Sequence, residues 1–228
     1  IDAPAAAAEL VETLGSAGYE AYFVGGCVRD SLRGVPPHDW DITTSATPDE
    51  MKRLFSTRRT VETGLKHGTL TAISDKEGYE ITSYRIDGEY TDNRRPSEVF
   101  FTRSLREDLA RRDFTVNAMA YNPVSGLVDV FGGMEDLERG IIRCVGEPGR
   151  RFAEDGLRIL RALRFASVLD FEIEDETARR VRDMRGLLKN ISAERIRDEF
   201  FKLVCGAGAE RVLLAFPEVI CEFIPELR

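Results

Sequence analysis

A glycine pair between a β-prone run and a helical run is the feature that most constrains the fold of this chain. Residues 19–24 include aromatic and β-branched side chains, Gly25 and Gly26 follow them, and residues 27–32 have helical character. This order predicts a strand, a tight turn and a helix. Glycine lets backbone N–H groups approach phosphate oxygens, and a helix N-terminus adds partial positive charge. An ordinary strand-to-helix turn without a ligand has the same pattern. The acidic pair that follows the turn is what favours phosphate binding.

An acidic pair follows this turn. Asp39 and Asp41 belong to a predicted strand over residues 38–43, in which they alternate with Trp40 and Ile42. Because residues two apart on a strand face the same way, both carboxylates should project from one face. Mg²⁺ prefers such oxygen ligands together with substrate phosphates, and two metal ions can activate a hydroxyl and neutralise a leaving pyrophosphate. Taken alone, the pattern also fits a solvated acidic strand end.

The rest of the first half predicts an α+β fold. Residues 5–17 have apolar positions at helical spacing, and residues 47–50 carry the signals of a helix start. Residues 69–74 and 79–84 have the pattern of paired strands. The polar stretch 87–106 predicts a mobile loop.

The last third of the chain has a different character. After Gly149 the apolar residues recur at helical spacing without strand signals, which predicts an all-helical region. Glycines and prolines between residues 140 and 150 divide the chain into 1–145 and 146–228. Because the chain begins with Ile1 and stops just after an apolar segment, we expect a fragment of a longer protein.

The glycine turn and the acidic pair together resemble the signature of the class II tRNA nucleotidyltransferases and bacterial poly(A) polymerases. One position departs from it, since Arg33 stands where the family usually has leucine. Four further blocks follow in the family's order, at 111–118, 129–133, 154–158 and 194–196. The resemblance implies a nucleotidyltransferase head with a small mixed sheet and helices over 1–145. An all-helical neck would follow over 146–228, and this chain has no counterpart of the family's body and tail domains.

The resemblance also implies roles for individual residues. Asp39 and Asp41 would be catalytic ligands of Mg²⁺. Glu80 is a third candidate, if its strand pairs near the acidic pair, and a solvated strand charge is an equal alternative. The residues expected to hold the triphosphate and ribose of CTP or ATP are Gly25, Gly26, Arg29, Arg112, Asp113 and Asn117. The segment with Asp92, Arg94 and Arg95 resembles the flexible loop that full CCA-adding members need for the final A.

A fourth block contains the candidates for base recognition. On a helix, Glu154, Asp155 and Arg158 can share a face, although an isolated pattern of this kind is usually a surface ion pair. A carboxylate can accept from an exocyclic amine while a guanidinium donates to the adjacent ring nitrogen. Cytosine and adenine both present that edge, so Asp155 and Arg158 would select CTP and ATP, with Glu154 orienting Arg158. Arg161 completes this predicted set.

Charge and cysteine content limit which ligands and partners this chain is expected to bind. The net charge of −8 argues against a generic nucleic-acid binder, yet 27 of the 32 basic residues are arginine. A basic neck after Gly149 would approach the tRNA 3′ end, and codon bias is the alternative explanation for the arginines. The four cysteines form no C-x-x-C pair, so neither a zinc site nor a disulfide framework is indicated, and we expect a cytoplasmic protein. No apolar run is long enough to suggest a membrane partner, and no protein partner is predicted.

The predicted function is therefore addition of C, C and A to the 3′ end of tRNA from CTP and ATP, with Mg²⁺ as cofactor. An A-adding enzyme or a poly(A) polymerase would use the same chemistry with another specificity. A haloacid-dehalogenase-type phosphatase is a remote alternative, because residues 39–43 match its D-x-D-x-T pattern. Pro36 and Pro37 disfavour the buried strand that such a motif needs directly upstream. An RNA-binding protein with an inactive site is the non-enzymatic alternative.

Overall fold

The computed structural model of the protein describes residues 1–74, 76–88 and 99–227. These residues form two compact units. The first comprises Ile1–Asp87, Val99–Arg112 and Val116–Gly133, and the second includes residues 113–115 and 134–227. The functional division of the chain at residue 145 stays a prediction, because a compact unit is not by itself a functional domain.

The first unit contains the elements around the glycine turn. Its helices are α1 (Ala5–Ser16), α2 (Gly26–Leu32), α3 (Pro48–Leu54) and α4 (Leu105–Ala110). Its strands are β1 (Ala21–Val24), β2 (Ile42–Thr44), β3 (Thr60–Val61), β4 (Thr69–Ser74), β5 (Glu77–Ser83), β6 (Arg85–Asp87), β7 (Val99–Phe101), β8 (Met119–Asn122) and β9 (Gly126–Asp129). Helix α1 buries Leu10 and Leu14 on one face, as the helical spacing predicts.

The start of α3 follows the predicted signals. The Thr47 side chain accepts a hydrogen bond from the Glu50 backbone N–H, and the Glu50 carboxylate accepts one from the Thr47 N–H. This reciprocal capping box satisfies two donors that a helix start otherwise leaves open.

Seven of the described strands form one mixed sheet in the order β3-β4-β5-β2-β1-β8-β9. Strand β1 pairs antiparallel with β2 and with β8, whereas β2 pairs parallel with β5. The parallel register places Ile42 opposite Ile81. The residues immediately before them, Asp41 and Glu80, therefore lie beside each other at the edge where β2 begins.

Strand β2 begins later than the predicted residue 38. The segment before Ile42 is irregular, which agrees with the presence of Pro36 and Pro37. The Val24 N–H nevertheless donates to the Asp41 carbonyl at 3.0 Å, so the pairing with β1 continues for one residue. Trp40 is buried and its ring packs edge-on against Phe23 at 5.1 Å between centroids. The predicted alternation is preserved, since Asp39 and Asp41 remain exposed.

The stretch 87–106, predicted as a loop, contains regular structure at its described ends. Strand β7 pairs antiparallel with β6, and α4 begins at Leu105 after Ser104, whose side chain accepts from the Glu107 N–H. Such short elements need few apolar residues, which is why the polar composition concealed them.

The second unit is mainly helical. Its helices are α5 (Gly133–Arg139), which begins one residue before it, α6 (Pro148–Glu154), α7 (Leu157–Leu169), α8 (Asp175–Asp183), α9 (Ala193–Val204), α10 (Ala209–Ala215) and α11 (Pro217–Ile220). Helix α7 buries Leu160 and Leu163, and Phe165 packs edge-on against Phe114 at 5.7 Å. The strands β10 (Ile141–Ile142) and β11 (Glu172–Ile173) form a parallel pair. The prediction of a last third without strands is wrong at β11, which is too short to leave a sequence pattern.

None of the helices described is both long and apolar enough to cross a lipid bilayer.

Candidate active site

The glycine turn joins β1 to α2. Gly25 has a φ of +78°, a conformation that L side chains rarely adopt. Its N–H donates to the Met119 carbonyl of β8 at 3.2 Å. A Cβ atom at this position would lie 3.2 Å from Nη1 of Arg112. The missing side chain thus leaves room for a cation beside the turn that was predicted to bind phosphate.

Arg29 lies on α2 and is buried. Its Nε and Nη2 atoms each donate to the Asp30 carboxylate at 2.9 Å, and its Nη1 donates to Oδ1 of Asn117 at 2.6 Å. Arg29 and Asp30 therefore form an ion pair within α2. Asn117 is brought to the same place, so two residues of the predicted triphosphate and ribose set meet directly.

The three candidate metal-binding carboxylates share one edge of the first unit. Asp39, Asp41 and Glu80 are all solvent-exposed. Protein atoms nevertheless crowd around the Asp41 carboxyl, and this desolvation raises the pKa of Asp41. The charge of Glu80 adds to the rise, Arg112 opposes it and Asp39 adds to it. Asp41 therefore lies among two other negative charges and one positive charge.

The donor set suits Mg²⁺. Within the described ranges, no three His, Cys, Asp or Glu side chains are arranged so that they could hold a metal ion. Mg²⁺ is commonly held by only one or two carboxylates, with water and substrate phosphates as the other ligands. The exposed Asp39 and Asp41 fit this requirement without a third protein ligand, and the metal-binding role of Glu80 stays a prediction.

Arg112 is held by a residue that the sequence reasoning missed. Asp108 of α4 is fully buried, and its Oδ2 accepts from Nη2 of Arg112 at 3.4 Å and from the Thr43 hydroxyl at 3.1 Å. Its Oδ1 accepts from Nε and Nη2 of Arg111 at 2.9 and 2.7 Å. Burial would raise the pKa of Asp108, but Arg111 and Arg112 outweigh it and hold the pKa below the ordinary value. The i,i+3 and i,i+4 spacings to these arginines were the available signal.

In the second unit, the expected single helix over residues 154–158 is wrong. Helix α6 ends at Glu154, Asp155 adopts an extended conformation, and α7 starts at Leu157. The Asp155 carboxylate accepts from the Leu157 N–H at 3.0 Å, which is the local interaction that competes with a continuous helix. Gly156 follows, and a Cβ there would lie 3.1 Å from Cβ of Leu187.

The Glu154–Arg158 contact forms despite this break. Oε2 of Glu154 lies 2.8 Å from Nη1 of Arg158, and Arg151 also approaches Glu154 at 2.7 Å. The Arg158 and Glu154 side chains are only 11 % and 14 % exposed. The alternative of an ordinary solvated ion pair does not describe this contact.

The remaining predicted base-recognition residues have other partners. Asp155 accepts from Nη2 of Arg195 on α9 at 3.0 Å. Arg161 donates twice to Oδ2 of Asp113, at 2.9 and 2.5 Å, and its Nη1 lies 3.7 Å from Glu199. Burial would lower the pKa of Arg161, but Asp113 and Glu199 raise it, so Arg161 stays charged.

The second unit thus gives the predicted residues three different ion-pair partners, and the charge of Asp155 also acts on Arg161. Arg195 and Glu199 were not predicted as parts of these pairs, because their partners lie on other helices. The loop residues Asp92, Arg94 and Arg95 lie outside the described residues.

Comparisons with known proteins agree with this architecture. A family model for the poly(A) polymerase head domain matches residues 21–143, and a model for the probable RNA and SrmB-binding site of polymerase A matches residues 170–218. The CCA-adding enzyme of Enterococcus faecalis is 48 % identical over 97 % of this chain and 54 % of its own length. That of Lactiplantibacillus plantarum is 52 % identical over 88 % of this chain and 49 % of its own length. The chain spans about half the length of the curated relatives it matches.

Solved structures are similar in the same way. The Bacillus stearothermophilus CCA-adding enzyme in complex with CTP superimposes with a TM-score of 0.85 and 42 % identity, over 93 % of this chain and 51 % of that one. The Thermotoga maritima CCA-adding enzyme in complex with tRNA gives a TM-score of 0.78 and 27 % identity, over 97 % and 52 %. The predicted α+β head with a helical C-terminal region is confirmed. The chain belongs to the family of the poly(A) polymerase head domain, which includes the tRNA nucleotidyltransferases that it resembles.

Proposed function

We propose that the protein to which this chain belongs adds C, C and A to the 3′ end of tRNA, with CTP and ATP as substrates and Mg²⁺ as cofactor. The observation that carries the proposal is the position of Arg112, which lies against the Gly25 turn and within electrostatic reach of Asp41. Carboxylates for a metal and a cation for a polyphosphate therefore adjoin each other in one unit. The names of the similar proteins support CCA addition as the specific reaction.

The metal-binding part falls to Asp39 and Asp41, with Glu80 beside them. Bound Mg²⁺ would make the tRNA 3′-hydroxyl more acidic and neutralise the charge that develops on the pyrophosphate. The two aspartates orient this chemistry because Trp40, between them, is anchored in the core against Phe23. The 3′-oxygen forms a bond to the α-phosphorus while the bond from that phosphorus to pyrophosphate breaks.

Residues around the turn would bind the triphosphate. Asp113 would bind the ribose. Gly25 provides the turn conformation, Gly26 has no side chain that would obstruct a phosphate, and Arg112 provides a positive charge. The buried Arg29 holds Asn117 in place. Asp113 already accepts from Arg161 and from the Phe114 N–H. A carboxylate offers about four acceptor positions, so a ribose hydroxyl can still be bound.

The choice of base falls to Arg158 and Asp155. Arg158, held by Glu154, donates to the ring nitrogen, and Asp155, held by Arg195, accepts from the exocyclic amine. This pattern fits cytosine and adenine and rejects uracil and guanine. Arg161 supports the same region by fixing Asp113.

The test is incorporation by the protein with tRNA that lacks its 3′ end and each nucleoside triphosphate separately. We expect CTP to be incorporated first and ATP afterwards, and UTP and GTP to be rejected. Incorporation of ATP alone would contradict CCA addition and identify an A-adding enzyme or a poly(A) polymerase. Tight tRNA binding without any incorporation would instead identify an inactive RNA-binding protein.

Two further outcomes separate the remaining candidates. Release of phosphate from a simple phosphoester, abolished in Asp39→Asn, would indicate a phosphatase. The fold argues against it, because no strand lies directly upstream of Asp39 in the described chain. We also propose that Asp92, Arg94 and Arg95 serve the final A, so Arg94→Ala with Arg95→Ala should leave CC addition and reduce A addition.

A further inference from the structure

Asp108 holds one arm of the Arg112 guanidinium. It lies on α4 with no exposed surface, and it accepts from Nη2 of Arg112 at 3.4 Å. The Thr43 hydroxyl of β2 donates to the same carboxylate oxygen at 3.1 Å, and the Arg85 N–H donates to the other oxygen at 3.4 Å. The carboxylate is therefore fixed from three elements, β2, β6 and α4.

The other arm of Arg112 lies at the glycine turn. A Cβ atom at Gly25 would stand 3.2 Å from Nη1. The planar guanidinium is rigid, so a contact that fixes Nη2 also sets the direction of Nη1. The hydrogen bond between Nη2 and Asp108 therefore orients Nη1 of Arg112 towards the turn.

A second carboxylate attracts Arg112 electrostatically. The charge of Arg112 acts on Asp41, as the opposing effect on the pKa of that carboxyl indicates. Arginine carries about 2 kcal/mol of rotamer entropy, so its guanidinium keeps one direction only where a contact fixes it. Without the hydrogen bond to Asp108, the attraction between Arg112 and Asp41 would favour a guanidinium turned towards Asp41.

We propose that Asp108 is a positioning residue that keeps Arg112 directed at the Gly25 turn, where Arg112 binds the β- and γ-phosphates of the incoming nucleotide. The inference rests on the proposed function. It assigns Asp108 an effect on polyphosphate affinity beyond its contribution to the stability of the first unit.

The experiment measures equilibrium binding of CTP and of CMP, both with Mg²⁺, to four proteins: wild type, Asp108→Asn, Arg112→Ala and the double variant. We expect Asp108→Asn to weaken CTP binding about tenfold, as does the loss of other residues that orient a binding group. CMP, which lacks the β- and γ-phosphates, should bind unchanged. In the Arg112→Ala background the Asp108 substitution should have no further effect, because the two residues act as one unit.

Asp136→Asn provides a matched control for stability. Asp136 is also a buried carboxylate that accepts from a threonine hydroxyl, that of Thr115, and from an arginine, Arg143. Its substitution should lower the melting temperature without changing the ratio of CTP to CMP affinity. If Asp108→Asn does not fold, Thr43→Val removes the hydroxyl that fixes Asp108 and should weaken CTP binding about threefold, the size expected for one hydrogen bond.

The possible failures are distinguishable. Wild-type protein that binds no CTP would overturn the proposed function and this inference with it. Wild-type binding of CTP with equal affinity in Asp108→Asn, equal losses for CTP and CMP, or additive effects with Arg112→Ala would overturn this inference alone.

Discussion

The carboxylate of Glu154 lies 2.8 Å from the guanidinium of Arg158 across a break between two helices. A continuous helix would align Asp155 with them, whereas the break directs Asp155 to Arg195 on α9. Each of the two proposed base-reading side chains therefore has its own supporting partner. Their contributions to base choice should be separable by substitution.

Replacing Arg158 tests the donor half of this arrangement. Arg158→Ala should reduce the preference for CTP and ATP over UTP and GTP about tenfold, because one well-placed donor contributes discrimination of this order. The measurement is kcat/KM for each of the four nucleotides. Arg179→Ala, which removes an exposed arginine paired with Glu176 in the same unit, serves as the control. An unaltered nucleotide profile in Arg158→Ala would remove its base-reading role.

Replacing Asp41 tests the metal site. Asp41→Ala should reduce CTP incorporation at least about a hundredfold, as the loss of a group that stabilises transition-state charge does. Nucleotide binding should remain measurable, because the turn and Arg112 are intact. Incorporation and CTP binding are measured on the same preparation, with Asp49→Ala in the first turn of α3 as a control for the loss of one negative charge. Normal turnover in Asp41→Ala would refute the metal assignment.

Two glycines that flank α2 give a matched comparison. Gly25 and Gly34 have φ values of +78° and +71°, but a Cβ atom meets Arg112 only at Gly25 and open space at Gly34. Substitution by alanine should destabilise both variants. Gly25→Ala should lose more than about 1–2 kcal/mol, the cost of a left-handed helical conformation, because Gly25 combines its positive φ with a ψ of −127°. Only Gly25→Ala should also weaken CTP binding, by roughly tenfold, because it displaces a binding group. Equal CTP affinity in the two variants would contradict the proposed contact.

The capping box of α3 gives a pH-dependent contribution to stability. The side-chain hydrogen bond from Arg103 and the backbone hydrogen bond from Thr47 lower the pKa of Glu50 from 4.5 to about 2. Because the folded-state pKa lies below the unfolded value, this contribution is present above pH 4.5 and is lost as the pH falls towards 2.

Urea unfolding of wild type and Glu50→Gln between pH 7 and pH 3 checks this expectation. The difference in unfolding free energy should be largest at neutral pH and should shrink below pH 4.5, the ordinary value. Glu12→Gln, an exposed substitution on α1, should change the free energy by less than about 0.5 kcal/mol throughout. A difference for Glu50→Gln that does not vary with pH would contradict the assignment.

Local features of the fold could be predicted from the sequence because their causes lie within a few residues. The Thr47 capping box, the apolar face of α1 and the bounds of β4 all follow from such short patterns. The alternation around Trp40 also predicted which side chains are exposed, although the strand itself starts at Ile42. The family could be recognised because its blocks occur in order along the chain.

The partners of the candidate site residues could not be predicted in the same way. Asp155 pairs with Arg195 and Arg161 with Asp113 because separate parts of the chain meet in space. The break after Glu154 arises because the Asp155 carboxylate accepts a hydrogen bond from the Leu157 N–H, which competes with a continuous helix. The role of Asp108 could not be predicted because a helix with acids and arginines normally indicates a solvated surface, whereas α4 buries this carboxylate completely.

The glycine turn has a consequence for the synthesis of the protein. Its Gly25 N–H bonds to β8, and Arg29 bonds to Asn117, a partner 88 positions later in the chain. Contacts of such long range form slowly and only after both segments are available. On the ribosome, a nascent chain in which β8 has not yet emerged lacks the Met119 carbonyl that accepts from the Gly25 N–H. It also lacks the Asn117 carboxamide that accepts from Arg29. The geometry proposed to bind a nucleotide can therefore be complete only after Asn117 and β8 have emerged, well after the residues that define the turn.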